Sequence, residues 1–304
     1  MSRELKSVIM LLTAAIIWGF AYVVQVLAMN YIGPFTFNFA RFFIGWIFLI
    51  IIYLIFKKTI PYYKNEIFSL RNTIKYGIIC GLLITVGNSL QQVALLGTTT
   101  GKVGFLTSTY IVIIPIIQFF LGNRVSKKII FCIGVATLGV YLLSIKGNFS
   151  INRYDGFVLI SVLFFAVHIM IMASLPDDCE KILVSMIQFI VISTFSLIIA
   201  LIFENIIIRD IFAAYKEILF IGIMSSGVAY TLQMIAFKEI DPTIGSLVAS
   251  LESVFAVLGG WVFLNQRMNL RELSGCAIIL VATVVAQIPS KTNKTEKGID
   301  LTEK

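Results

Sequence analysis

The sequence predicts an all-α integral membrane protein with ten transmembrane helices arranged as two inverted five-helix repeats. Three observations predict it. Hydrophobic residues make up 59% of the chain and charged residues only 13%, far from the roughly 25% charged content of soluble domains. Apolar runs of about 20 residues, the length a bilayer-spanning helix needs, recur ten times. A shift of 141 residues lays Gly81, Gln92, Gly104, Gly134 and Ala136 on Gly222, Gln233, Gly245, Gly275 and Ala277. Each copy then holds an odd number of spans, so the second enters the bilayer upside down, the construction of an alternating-access carrier.

The predicted spans lie near 8–29, 35–56, 74–95, 103–121 and 127–145 in a first repeat over 5–146. Those of the second repeat, over 154–288, lie near 155–174, 183–203, 215–236, 243–264 and 272–288. Arg3 and Lys6 before the first run resemble the start of a signal peptide, but the run is long enough to span and no small-residue cleavage site follows it. Residues 289–304 are polar and of mixed charge, which predicts a disordered cytoplasmic tail.

Short cytoplasmic loops retain Lys and Arg. With the N-terminus inside, sixteen such residues fall on the cytoplasmic side against seven outside, Arg41 remaining within a span. The expected placement is therefore multi-pass in the cell membrane with both termini cytoplasmic. The net charge of +8 is scattered over these loops, so it reflects orientation, and no nucleic-acid partner is expected.

Catalytic machinery is sparse. Cys80, Cys132, Cys179 and Cys276 have neither metal nor redox spacing. His168 is the only histidine, which excludes a histidine-pair metal site. "GTTTGK" at 97–102 is one residue short of a phosphate loop and has Val103 where magnesium needs Ser or Thr; it reads better as a tight turn. No enzyme activity, metal or cofactor is expected.

Four segments carry a resemblance: "AAIIWGFAYVV" at 14–24, "FARFFIGWIFL" around Arg41, "GFLTSTYIVIIP" at 104–115, and the stretch from Leu247 through Glu252 and the Gln266-Arg267 turn to Leu280. Together they resemble EamA-type members of the drug/metabolite transporter superfamily. The resemblance implies ten helices with cytoplasmic ends, a central cavity between inverted halves, and movement of small metabolites such as amino acids across the plasma membrane. Ser253 and Asn123 depart from the pattern, standing where many similar transporters carry Pro and an acidic residue.

Function is sought among polar residues inside spans, because an ionisable group at mid-bilayer costs about 2.5–3.5 kcal/mol on insertion scales. Glu252, near the middle of span 9, is a candidate for proton coupling, for a substrate ammonium group, or for a structural pair with Arg41. Arg41 either snorkels outward, pairs with Glu252 or binds an anion. His168 suits proton exchange or a neutral bond between helices. Asn88 with Gln91 or Gln92 on span 3, and Tyr230 with Gln233 on span 8, share helix faces and either line the cavity or tie helices together. Trp18, beside Gly19, offers an aromatic wall, and Tyr110 aims a hydroxyl at the cavity or packs.

These residues predict a secondary transporter, an exporter or permease for small polar metabolites, with Glu252 and His168 as proton-coupling candidates. Its expected partners are a small-molecule substrate and the lipid bilayer, and a homodimer stays open. The alternatives are a carrier of lipid-linked or nucleotide sugars and a non-transporting membrane assembly protein.

Overall fold

The computed structural model describes residues 3–59, 68–123, 125–144, 152–264 and 270–288, and every extended element among them is helical. The Gln266-Arg267 turn, the tail from 289 and the side chain of Cys276 lie outside the described residues.

Eight helices are long and apolar enough to cross a membrane. They are α1 (Arg3–Ala28), α2 (Pro34–Ile55, continuing helical to Thr59), α3 (Leu70–Ala94), α4 (Thr100–Phe120), α6 (Arg153–Ala173), α7 (Lys181–Phe203), α8 (Tyr215–Glu239) and α9 (Pro242–Phe263). The remaining two apolar runs form α5 (Lys127–Ser144) and α10 (Leu270–Gln287), of 18 residues each. At about 27 Å these are shorter than the others, and they pack along each other, with Gly139 against Ile279 and the Gly275 carbonyl.

Eight of the ten helices begin one to five residues before the apolar run does, and several are started by polar residues. Ser69, Thr99 and Asp241 each accept a bond from a backbone N–H of the first turn. Asn152 and Asp155 form a reciprocal capping box on α6, and Glu180 caps α7. Such caps satisfy N–H groups that the helix cannot satisfy itself.

Contacts follow a pattern that survives exchanging each helix for the one five places later. The pairs α2–α7 and α5–α10 map onto themselves, α3–α7 onto α8–α2, α3–α6 onto α8–α1, and α1–α9 onto α6–α4. Glycines set the close approaches. A Cβ on Gly81 of α3 would meet Val191 and the Gln188 backbone of α7, and one on Gly222 of α8 would meet Ile44 and the Arg41 backbone of α2. Gly81 and Gly222 are a 141-residue pair, so Arg41 and Gln188 occupy matching places. Aromatic side chains such as Phe120 and Phe203 stand outward, as lipid-facing surface requires.

Polar ties between distant segments hold both ends of the bundle. At one end, Glu204 after α7 accepts from the backbone N–H groups of Phe35 and Thr36, each at 2.8 Å, and from the Thr36 hydroxyl at 2.6 Å. Gly33 makes room, since a Cβ there would lie 2.3 Å from the Glu204 carboxyl carbon. At the same end Lys102 meets Asp155 at 2.6 Å, and Asp155 also accepts from Thr98, so the "GTTTGK" turn is a tether between α4 and α6. At the other end Asn72 donates to Asp178 at 2.8 Å, Gln118 bridges to Asp241 and Thr243, and Lys238 pairs with Asp177 at 3.0 Å. Lys238 holds the Asp177 carboxyl below the usual carboxylate range.

Candidate functional site

Three helices are irregular where they meet at the centre. In α4 the regular helix breaks at Thr109, whose N–H bonds the Leu106 carbonyl three residues back. In α9 it breaks at Ser250 and Leu251, and Thr109 and Ser250 are again 141 residues apart. The two breaks touch: the Ser108 hydroxyl reaches the Ser250 carbonyl at 3.4 Å, and Tyr110 donates from its hydroxyl to Glu252 at 3.3 Å. Ser253 donates to the Ser250 carbonyl at 2.8 Å, so its side chain bonds at the break itself. In α8, residues Ile221–Ala229 form a π-helical stretch, a form that recurs at functional sites.

The irregular segments, with α1, α2, α3 and α6, enclose a cavity of about 570 Å³ including its opening. Trp18, Arg41, Asn88, Tyr110, His168, Tyr230, Gln233 and Glu252 all line it. Gln92 does not; its amide donates to the Met29 sulfur at 3.2 Å. Gln91 lines the cavity instead, donating to Thr107 at 2.8 Å and to Tyr22 at 3.3 Å.

Arg41 is 2% exposed and turns inward rather than snorkelling. Nη2 donates to Asn88 Oδ1 at 2.8 Å and Nη1 reaches Gln25 Oε1 at 3.5 Å. Its guanidinium carbon lies 4.5 Å from the centre of the Phe42 ring, a cation–π contact, and Nε has no partner. Glu252, 4% exposed, takes its side-chain hydrogen bond from Tyr110. No ion pair within 4.0 Å joins Arg41 to Glu252, so the structural pair is not formed. The cavity wall therefore carries one guanidinium and one carboxyl group, each held by neutral groups.

Asn88 links the cation to the aromatic wall. Its amide donates to the Tyr230 hydroxyl at 2.9 Å, and Tyr230 stands edge-on to Trp18, with ring centres 5.2 Å apart. His168 Nε2 lies 3.0 Å from Gln188 Oε1, a bond between α6 and α7. Asn88–Tyr230, Ser108–Ser250 and Tyr110–Glu252 each join residues 142 apart, so near-equivalent positions of the two halves meet at the site. Tyr22, Gln25, Thr107 and Ser225 also line it and were not singled out from the sequence. Trp18, Tyr22 and Gln25 form an i, i+4, i+7 stripe on α1 that could have revealed two of them.

The sequence pattern of the EamA-like transporter family matches residues 5–145 and again 152–287. The chain belongs to the EamA-like transporter family. It is thus a membrane transporter, and its apolar helices make it multi-pass. A relative called an uncharacterized transporter, from Archaeoglobus fulgidus (strain ATCC 49558 / DSM 4304 / JCM 9628 / NBRC 100126 / VC-16), is 27% identical over 282 residues, covering 90% of this chain and 83% of the relative. A solved crystal structure of a protein 16% identical superposes with a TM-score of 0.74, covering 95% of this chain and 99% of its own; that likeness concerns the fold.

Proposed function

We propose that this transporter moves small zwitterionic metabolites such as amino acids across the cell membrane as a secondary carrier, with Arg41 taking the anionic group and Glu252 the ammonium group. The carrying observation is that a guanidinium and a carboxyl group line one cavity and are not paired with each other. Buried charges need partners, and a molecule with both charges supplies both at once. Trp18 and Tyr230 cover its apolar part, and Asn88 and Gln25 orient the guanidinium.

In this reading ten helices span the membrane as two inverted halves with both termini cytoplasmic, and rocking of the halves exposes the site alternately. The exchange-invariant helix contacts and the breaks at Thr109 and Ser250 support the halves. A solute or proton gradient drives the cycle. Glu252 carries the coupling proton when the substrate ammonium is absent, and His168, anchored by Gln188, is the second candidate.

The test is thermal unfolding of the purified protein with alanine, propionate and ethylamine. A ligand at ten times its Kd stabilises the fold by about 1.4 kcal/mol. Alanine is expected to stabilise, and the two single-charge analogues to do so far less. Equal shifts with all three would refute paired recognition. Transport that continues unchanged with the proton gradient collapsed would remove the proton step and leave the carrier.

A further inference from the structure

Arg41 and Gln188 occupy matching places on α2 and α7, but at different depths. Glu204, just past the end of α7, caps the start of α2, so the two helices run antiparallel. Arg41 is seven residues from the start of α2 and Gln188 seven from the start of α7. That places them about eight residues, or ~12 Å, apart along the bundle. The cation of the site therefore stands nearer one end of the bundle, and the matching place in the other half carries a neutral amide.

Gln233 lines the cavity and is 6% exposed, and its Oε1 is buried without a hydrogen-bond partner. Tyr230, one turn earlier on α8, stands edge-on to His168 with ring centres 6.4 Å apart, and Gln188 fixes His168 by the 3.0 Å bond. The Ser185 hydroxyl reaches the Met234 sulfur at 3.4 Å, holding α7 against α8 beside these residues. An unpaired buried carbonyl oxygen is costly, and a ligand that donates to it relieves the cost.

We propose that Gln233 forms a side-chain subsite that selects zwitterions ending in a neutral hydrogen-bonding group, with a carboxamide the best fit. The ligand amide N–H donates to Gln233 Oε1, and Gln233 Nε2 donates to the ligand carbonyl. Such a reciprocal pair leaves neither amide unsatisfied. An aliphatic end of the same length leaves Oε1 orphaned, which sites built for hydrogen bonding penalise strongly. This inference rests on the zwitterion reading above, because the charged groups of the ligand fix which part reaches Gln233.

The full-length protein in detergent is titrated with L-glutamine and L-norleucine, which share the zwitterion and differ at the far end. Wild type is expected to bind glutamine at least about tenfold more tightly. In Gln233→Met, of similar volume, that ratio is expected to fall to about one. Equal affinities in wild type, or a Gln233→Met variant that weakens both ligands alike, would overturn the subsite and leave the zwitterion reading standing. Binding of neither ligand to folded wild type would overturn both. If Gln233→Met does not fold, the wild-type ratio decides alone.

Discussion

The second helix of each half lays its backbone, at a polar residue, against a glycine of the third helix of the other half. In α2 that residue is Arg41, beside Gly222; in α7 it is Gln188, beside Gly81. The first bonds to α1 and α3 through Gln25 and Asn88, and the second to α6 through His168. Shared packing thus sets where a polar group stands, while the residue chosen sets what it does. Because only one of the two carries charge, a near-symmetric scaffold encloses an asymmetric cavity.

The largest expected effect comes from breaking the packing that both halves need. A Cβ at Gly19 would lie 2.3 Å from Phe255 Cβ and 2.7 Å from the Glu252 carbonyl oxygen, so Gly19→Val is expected to abolish the folded protein, as size-exclusion chromatography would report. Next, Arg41→Gln gives the first half the residue the second already tolerates. Folded yield is expected to persist while alanine binding weakens about 100-fold, in line with losing one partner of a buried charge pair; unchanged affinity would mean that Arg41 only ties helices together. Glu252→Gln is expected to weaken alanine about tenfold or more and to level the difference between alanine and propionate, read by calorimetry. The smallest effect is expected from Tyr110→Phe, which deletes the 3.3 Å bond to Glu252. Interhelical bonds of this kind average about 0.6 kcal/mol, so a roughly threefold change in affinity would fit, and a hundredfold loss would mark Tyr110 as a ligand group.

Much of the fold was legible because a span must be a long apolar run. Eight of the ten runs form helices long and apolar enough to cross a membrane and the other two form shorter helices, yet the helix ends were not legible, since Ser69, Asn152 and Asp241 start helices with polar side chains that an apolar scan discards. The site was legible where polarity stood alone inside a span, as at Arg41, His168 and Glu252. It was ambiguous where neighbours compete: Gln91 and Gln92 are adjacent, about 100° apart around the helix, and only tertiary packing decided that Gln91 faces the cavity. The partners of Arg41 could not be read, because Asn88 lies 47 residues away in sequence. The π-helical stretch of α8 left no pattern that a 3.6-residue period detects.

The cap on α2 has a mechanical consequence. Its donors at Phe35 and Thr36 are satisfied by Glu204, more than 160 residues away, rather than by a neighbour in sequence. If the two halves part at that end, the helix start is left bare and must recruit water. A lost cap costs about 0.5–2 kcal/mol, a small restoring force that would act like a spring-loaded catch and bias that end toward closing again.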